Sequence, residues 1–453
     1  MAYDEESFKQ GFALGRILHK PHIDKNKTEY LTFSSKNEFT LRVIDNLQHW
    51  KGRIEYSTDK ITWTTWGADN NLWGRTETLS SHNGKLYLRG TGNTSITYPL
   101  TYPDYGWILD GTNIKCEGNI ETVLDYLVVA NGEHPAIGEG CFKGLFKSQD
   151  NLISAPNLPS TILAESCYDN MFYGCTSLTK APELPSTSIG PYCYYSMFQG
   201  CTSLTQAPTS LPATTLAESC YANMFYGCTS LTKAPELPAT ELADECYSFM
   251  FFNCNEIKVS PMLPATIMAE YCYDNMFNSC HSLRKAPELP ATMLAEGCYQ
   301  YMFLNCSKLE TAPVILPANT LANGCYTGMF RDCTSLVKAP KLPATILARN
   351  CYASMFYGCI SLKYIPTLPA TNLVDGCYKT MFCDCSSLEL SWKYSSERPY
   401  LYKIPTVGEG IGFPGATEAM VARIGFLEEP ISHYDLNLGL FINTPYYINY
   451  PPV

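Results

Sequence analysis

The sequence predicts an α+β repeat fold: a solenoid of about ten 26-residue units, preceded by a small all-β sandwich domain and an N-terminal helix. Three observations predict it. The first is a segment, Cys167–Cys175, that returns at intervals of 26 or 27 residues, with its first cysteine at Cys193, Cys220, Cys246, Cys272, Cys298, Cys325, Cys351 and Cys377. A degenerate copy begins at Cys141. A fixed period in the twenties is typical of solenoids.

The second observation is that one unit is too small to fold alone. Its few apolar side chains cannot offset the conformational entropy lost when about 26 residues are ordered. The units must therefore stack and share one continuous core.

The third observation is the pattern inside each unit, which predicts a helix over 162–175. Apolar residues line one face of that helix, at Leu163, Ala164, Cys167, Tyr168, Met171, Phe172 and Cys175. Thr161 is a good N-cap. Gly174 and its counterparts are mostly Gly, Asn or Asp, which tolerate the positive φ of a helix end.

A short strand is predicted after each helix. Ser177–Pro182 should place Leu178 and Ala181 inward, and the recurring proline should end the strand because it cannot donate a hydrogen bond. The 27-residue units carry their extra residue between two prolines, at 208–212 and 313–317. An insertion there should bulge outward and leave the core in register.

The repeated pattern Leu-Ala-x-x-Cys-Tyr-x-x-Met-Phe-x-x-Cys-Thr-Ser-Leu-Thr-x-Ala-Pro-x-Leu-Pro-Ala-Thr resembles the BspA-type leucine-rich repeats over residues 141–391. That family is known from surface proteins of gut and oral anaerobes and from bacteriophage and prophage genes. The resemblance implies a curved leucine-rich-repeat solenoid with a binding or adhesion role, and it carries over no catalytic residue.

The flanks complete the domain layout. Residues 4–20 read as a helix that packs on the next domain or, alternatively, mediates docking or oligomerisation. Short β-branched and aromatic runs follow, and their tryptophans fit core and edge positions better than a sugar platform. We divide the chain into 1–26 (N-terminal helix and attachment segment), 27–110 (β-sandwich), 111–140 (solenoid cap), 141–391 (solenoid) and 392–453 (C-terminal cap and extended tail).

Composition narrows the function. The net charge is −11 and only 17% of residues are charged, which argues against binding to nucleic acid or to anionic membranes. No apolar run is long enough to span a membrane. The first ten residues lack the basic and apolar regions of a secretory signal, which favours a phage product made in the host cytoplasm.

The 21 cysteines are interpreted as small, buried, reduced core residues. Within one predicted helix the two cysteines lie too far apart for a disulfide. Their spacing also differs from zinc motifs. Disulfide and metal interpretations remain the alternatives.

No nucleophile motif, metal-binding histidine pair or phosphate loop is present, so we expect no enzyme activity and no cofactor. The two positions that follow the conserved leucine of each unit, such as 179 and 180 after Leu178, vary most between copies. A binding surface would explain this variation, and so would sequence drift at exposed sites. The candidate binding residues are Lys180, Gln206, Lys233, Lys258, Arg284, Lys285, Glu310, Lys338, Lys363 and Tyr364.

These observations favour a non-enzymatic virion component of a bacteriophage, in the tail, fibre or capsid, that uses the solenoid for host recognition or display. The expected partners are a protein or glycan on a cell surface, other virion proteins, and a second copy of the chain through the N-terminal region. The alternatives are a bacterial cell-surface adhesin and a cytoplasmic scaffold.

Overall fold

The computed structural model of the protein describes residues 29–68, 73–97, 106–364, 366–370, 372 and 374–387. The helix predicted within 1–26 and the cap and tail predicted at 392–453 lie outside these residues. Eight strands precede the repeats: β1 Leu31–Ser34, β2 Thr40–Val43, β3 Arg53–Ser57, β4 Thr64–Thr65, β5 Leu79–Ser80, β6 Lys85–Thr91, β7 Trp107–Asp110 and β8 Ile114–Glu117.

These strands form two sheets. One has the order β4-β3-β6-β1-β8 and continues into β9 (Leu152–Ser154), which belongs to the first repeat. The other has the order β5-β2-β7. All neighbouring strands are antiparallel except β8 and β9, which are parallel. The sequence predicts a hairpin around residues 110–111, which is wrong because β7 and β8 join different sheets.

Aromatic side chains fill the space between the sheets. Trp50, Trp66 and Trp107 are fully buried, and the ring of Trp107 lies 6.4 Å from Phe33 of the other sheet. Trp107 also contacts Phe146 of the first repeat, with ring centroids 6.2 Å apart. The β region and the repeats therefore share one core.

A short helix, α1 (Thr122–Ala130), packs against β6. The buried Glu121 before it ties this segment to the first repeat. Its carboxylate accepts a hydrogen bond from Ser160 Oγ at 2.6 Å and contacts His134 Nδ1 at 2.8 Å. Ser160 in turn lies 3.3 Å from the buried hydroxyl of Tyr168.

The helix predicted in every repeat is wrong. Residues 166–175 and their counterparts form a run of consecutive four-residue turns, with a left-handed residue at every fourth position: Ser166 (φ 54°), Asn170 (φ 54°) and Gly174 (φ 69°) in the first full repeat. The left-handed positions recur in each repeat and align as three columns. We call this surface the turn side.

Backbone hydrogen bonds explain why the turn side is regular. Alternate N–H groups reach the next coil, as in Tyr168 N–H to Cys193 O (2.8 Å) and Phe172 N–H to Met197 O (2.9 Å). The N–H groups between them close turns, as in Met171 N–H to Tyr168 O (3.1 Å). Nearly every donor on the turn side is thereby satisfied, half of them by a neighbouring coil.

The physical reason for the error lies in the period. The apolar pairs recur at strict intervals of four residues, whereas an α-helix repeats every 3.6 and would rotate such a stripe by about 40° per step. A four-residue period with polar or small residues at each fourth position fits successive turns, because Asn and Gly adopt left-handed backbone at low cost.

Buried side chains form ladders through the stack. The tyrosine and phenylalanine rings stack on their counterparts in the neighbouring coils, and adjacent ring centroids are separated by 5.4 to 5.8 Å. The two ladders begin at Phe142 and Phe146. The second cysteine of a unit donates to the phenylalanine carbonyl of the preceding coil, as in Cys280 Sγ to Phe251 O at 3.1 Å. All 21 cysteines are buried, as predicted. Their reduced state remains a prediction.

The predicted strands are in the right place but shorter than expected. Most coils contribute one bridging residue per column, as in the parallel bridges Lys180 with Gln206 and Lys338 with Tyr364. A further column of parallel pairs begins with β10 (Ile162–Leu163) and β11 (Ser188–Ile189). Each recurring proline removes a donor and ends the pairing.

The inserted residues of the 27-residue units bulge outward, as predicted. Thr209 N–H donates to the Glu183 carboxylate at 2.9 Å, and Val314 N–H donates to that of Glu288 at 3.2 Å. The preceding coil thus supplies an acceptor for the extra backbone group, and the buried ladders continue in register.

Candidate binding face

The ten predicted site residues lie together on one side of the stack. They belong to two adjacent columns, which we call the variable face: Thr179, Thr205, Thr232, Lys258, Arg284, Glu310, Val337 and Lys363 in the first, and Lys180, Gln206, Lys233, Val259, Lys285, Thr311, Lys338 and Tyr364 in the second. Nine of the ten predicted residues are exposed, and Tyr364 is half-buried.

The coil geometry explains why both columns face outward. Leu178 and Ala181 are buried on either side of them, so residues 179 and 180 span the gap between two inward anchors. A single bridge fixes the second column, while the first uses backbone contacts such as Thr205 N–H to Thr179 O at 3.0 Å. The exposed side chains of these two columns therefore contribute little to the stability of the stack.

The variable face is positively charged although the protein is acidic. Lys180, Lys233, Lys258, Lys285 and Lys338 form no ion pair with any residue that the structure describes. Arg284 pairs with Glu310 at 2.6 Å, and both side chains are exposed. The lysines of the second column occupy alternate coils, about 10 Å apart at two strand spacings. This separation is close to the Debye length of about 8–10 Å at physiological salt, so neighbouring lysines still add part of their potentials.

Apolar groups join the charges in the later repeats. Val259 is 72% exposed and Met262 is 84% exposed, whereas the equivalent positions of the first repeats are polar. A groove of about 500 Å³ lies further along the same side of the stack and is lined by residues that include Ile315, Lys338, Pro340, Lys341, Tyr364 and Pro366. The same groove recurs near the first repeats, where it is lined by Lys180, Pro182 and Glu183 among others, with a volume of about 510 Å³.

The turn side carries a second depression, which the sequence did not predict. It has a volume of about 460 Å³ and lies over several coils between two left-handed columns. Tyr271 and Tyr301 border it, and Tyr271 Oη donates to Glu296 Oε1 at 3.1 Å. The pKa of Tyr271 is raised, mainly by burial and secondly by the nearby Glu296 carboxylate. The sequence places a glycine one repeat after each tyrosine, Gly297 after Tyr271 and Gly328 after Tyr301, but these pairs are recognisable only once the turn register is known.

The buried thiols of the repeats are poorly suited to nucleophilic chemistry. Burial raises the pKa of the Cys306 thiol to about 12, so it stays protonated at neutral pH and is a poor nucleophile. No cluster of three or more His, Cys, Asp or Glu in the described ranges has the arrangement a metal ion requires. Within the same ranges, no helix has both the length and the apolar character that a membrane crossing needs.

Comparison with known proteins identifies the repeats. A family model described as a BspA type leucine rich repeat region matches in six copies, over residues 128–254, 187–336 and 299–396, which together cover more than half of the chain. No curated protein gives a significant match.

Two solved structures show low similarity. A leucine-rich repeat protein from Bacteroides ovatus has 16% identity and a TM-score of 0.27, over 72% of this chain and 95% of that one. A leucine-rich repeat protein from T. pallidum has 14% identity and a TM-score of 0.23, over 47% of this chain and 81% of that one.

Proposed function

Since the chain belongs to the BspA-type leucine-rich repeat family, we propose that it is a non-enzymatic binding protein that holds an acidic protein partner on its variable face. The observation that carries this proposal is a column with an unpaired lysine in every second coil, at Lys180, Lys233, Lys285 and Lys338, on a chain of net charge −11. The exposed apolar residues of the later repeats add area that a partner would bury. Charge attracts the partner over a distance, and apolar contact holds it.

A charge-reversal experiment tests this proposal. The triple variant Lys258→Glu, Lys285→Glu, Lys338→Glu should bind poly-L-glutamate at least about tenfold more weakly than the native chain, as measured by fluorescence anisotropy at low salt. The matched control is Lys36→Glu, Lys51→Glu, Lys115→Glu, which makes the same charge change on exposed residues of the β region.

Equal losses in the two triple variants would show that net charge alone attracts the probe, and the variable face would then not be the site. Heparin serves as a second probe in the same assay. A preference for heparin over poly-L-glutamate would assign the face to an anionic glycan and contradict the protein partner.

For the biological setting we retain the virion role inferred from the sequence, with the cell-surface adhesin as the alternative. The family's occurrence in phage genes and on bacterial surfaces supports both. Mass spectrometry of purified phage particles from the source organism should detect the chain in stoichiometric amounts. Detection only on intact bacterial cells, by surface proteolysis, would favour the adhesin.

The number of repeats, the role of the β region and self-association of the chain are also proposals. We propose about ten units over 141–391, a β-sandwich at 27–110 that serves for attachment, and self-association through the N-terminal region. The two sheets that share the core from Phe33 to Trp107 support the sandwich. Light scattering should give a larger particle for the full chain than for a chain lacking 1–26. Equal masses per chain would exclude association through that segment.

A further inference from the structure

The depression on the turn side has a shape that differs from the rest of the stack. In most coils the left-handed columns carry side chains, but Gly297, Gly324 and Gly328 leave part of this region without them. Gly324 forms part of the lining, and a Cβ placed there would have its nearest neighbours at 3.5 Å, which is ordinary van der Waals contact. Position 324 therefore has room for a Cβ without a clash, in contrast to positions 297 and 328.

The rings of the two tyrosines pack against the other two glycines, Gly297 and Gly328. A Cβ at position 297 would overlap the ring of Tyr271, and a Cβ at position 328 would overlap the ring of Tyr301. Each ring therefore lies against the backbone of the next coil, and both tyrosines remain partly exposed. Rings held in this way are rigid apolar platforms at the rim of a shallow cavity.

Polar side chains with unused hydrogen-bonding capacity line the same cavity. The side-chain amides of Gln300 and Asn323 form no hydrogen bond with any residue that the structure describes, while their backbone groups are part of the coil ladder. Thr327 Oγ1 is already used, since it donates to Asn350 O at 2.7 Å. Each amide offers both donors and an acceptor to a ligand.

The charges in the cavity are nearly balanced. Glu296 accepts from Tyr271, Arg349 pairs with Asp375 at 3.1 Å, and Lys379 adds one further positive charge. A strongly anionic ligand such as a phosphate would meet Glu296 and an arginine that is already paired. A ligand with many hydroxyl groups and one apolar face fits this lining better.

We propose that this depression is a second binding site, separate from the variable face, and that its ligand is a neutral oligosaccharide. The C–H face of a sugar ring would lie on Tyr301 or Tyr271, where polarised C–H groups contact the negative face of the aromatic ring. The hydroxyl groups at the ring edge would bond to Gln300, Asn323 and Glu296. The site spans several coils, so it suits a chain of sugars rather than a single one.

The test begins with the full chain on an array of short, defined neutral oligosaccharides of glucose, galactose, mannose and N-acetylglucosamine. At least one series should bind, and calorimetry with the best member then gives its affinity. Tyr301→Asn should weaken that affinity about tenfold or more. Asparagine suits the left-handed backbone there, because Asn223 and Asn275 occupy the same column with φ near 55°.

Two further variants make the test specific. Gly324→Asn should also abolish binding by filling the cavity, and Asn350 in the next coil shows that asparagine is accepted in that column (φ 53°). Phe249→Asn, in the column of Tyr301 but away from the depression, should leave the affinity unchanged. Failure of every neutral oligosaccharide to bind would overturn the proposal, as would undiminished binding by both site variants.

The site is independent of the proposed function. Tyr301→Asn and Gly324→Asn should keep the native affinity for poly-L-glutamate, because neither residue lies on the variable face. Loss of both activities in either variant, together with a lower melting temperature, would indicate damage to the fold and would count against a separate saccharide site.

Discussion

The turn side and the variable face belong to the same coils, yet they constrain the sequence very differently. On the turn side, half of the backbone donors reach the next coil, and the Tyr, Phe and Cys ladders below them are completely buried. On the variable face isolated bridges join only some adjacent coils, and most of the side chains are exposed to solvent. Stability therefore depends on one side of each coil, which leaves the other side free to vary.

The largest expected effect comes from breaking a ring ladder. The ring of Phe303 lies 5.7 Å from that of Phe277 and 5.5 Å from that of Phe330. Phe303→Ala should lower the free energy of unfolding by about 3–5 kcal/mol, because it removes contacts in two coils and leaves a cavity. Lys285→Ala on the variable face should change it by less than about 0.5 kcal/mol. Urea denaturation measures both, and equal effects would show that the two sides are wrongly assigned.

A glycine comparison sharpens the account of the turn side. Gly328→Ala should cost about 1–3 kcal/mol, from the left-handed backbone and from overlap with the Tyr301 ring. Gly324→Ala has the same backbone strain, but its Cβ would make only ordinary contacts at 3.5 Å, so it should cost only about 1 kcal/mol. In a Tyr301→Asn background, the costs of Gly328→Ala and Gly324→Ala should become similar, because the ring that overlaps the new Cβ is gone. Thermal denaturation of both variants measures this. A difference that persists would mean that the ring does not cause it.

A buried carboxyl on the turn side should make stability depend on pH. Burial raises the pKa of Asp274 to about 7, although a hydrogen bond from Asn275 opposes the shift. In the unfolded chain the same group ionises near pH 4. Stability from this group is therefore complete at acid pH and is lost as pH rises from about 4 to about 7.

Asp274→Asn should remove that loss and stabilise the protein by about 1–3 kcal/mol at pH 8, with little change at pH 4. Denaturation curves at the two pH values check this. Burial also raises the pKa of Asp169 in the equivalent position, but the Lys143 ammonium at 2.7 Å opposes that shift. Asp169→Asn is therefore the contrasting control and should stabilise the protein less at pH 8 than Asp274→Asn does. Equal responses of the two aspartates would contradict the assignment.

The smallest predicted effect is a gain. Tyr194 donates to Ser186 Oγ at 3.0 Å, whereas the buried hydroxyl of Tyr221 has no partner in the described structure and Ala213 occupies the equivalent position. Ala213→Ser should add about 0.5–1.5 kcal/mol to the free energy of unfolding. The gain should vanish in a Tyr221→Phe background. A gain that survives there would have another cause.

The sequence predicted the parts of this fold that depend on repetition. The repeat and its buried columns, cysteines included, follow from periodicity and residue type, and the family resemblance is confirmed. The prediction of a helix in each repeat was wrong because apolar pairs such as Cys167-Tyr168 and Met171-Phe172 recur every four residues. That interval is close to the 3.6-residue period of an α-helix, but it matches successive four-residue turns better. Left-handed backbone at Tyr271 or Phe249 could not be inferred from those residue types.

The candidate sites divide in the same way. The variable face was predicted because adjacent positions such as Thr179 and Lys180 vary between buried anchors, and the structure places them together; that they bind a partner remains a prediction. The depression at Tyr301 was missed because it depends on which residues meet across coils. That relation appears only when the turn register is known.

The central claim is that each repeat packs through successive turns rather than through a helix, and the far-UV circular dichroism spectrum of the intact protein tests it most directly. Only α1, with nine residues, is an α-helix among the residues that the structure describes. The account predicts a spectrum dominated by turns and β-structure, with a weak helical component. A strong helical double minimum, of the size expected if every repeat contained a helix over positions equivalent to 162–175, would contradict it.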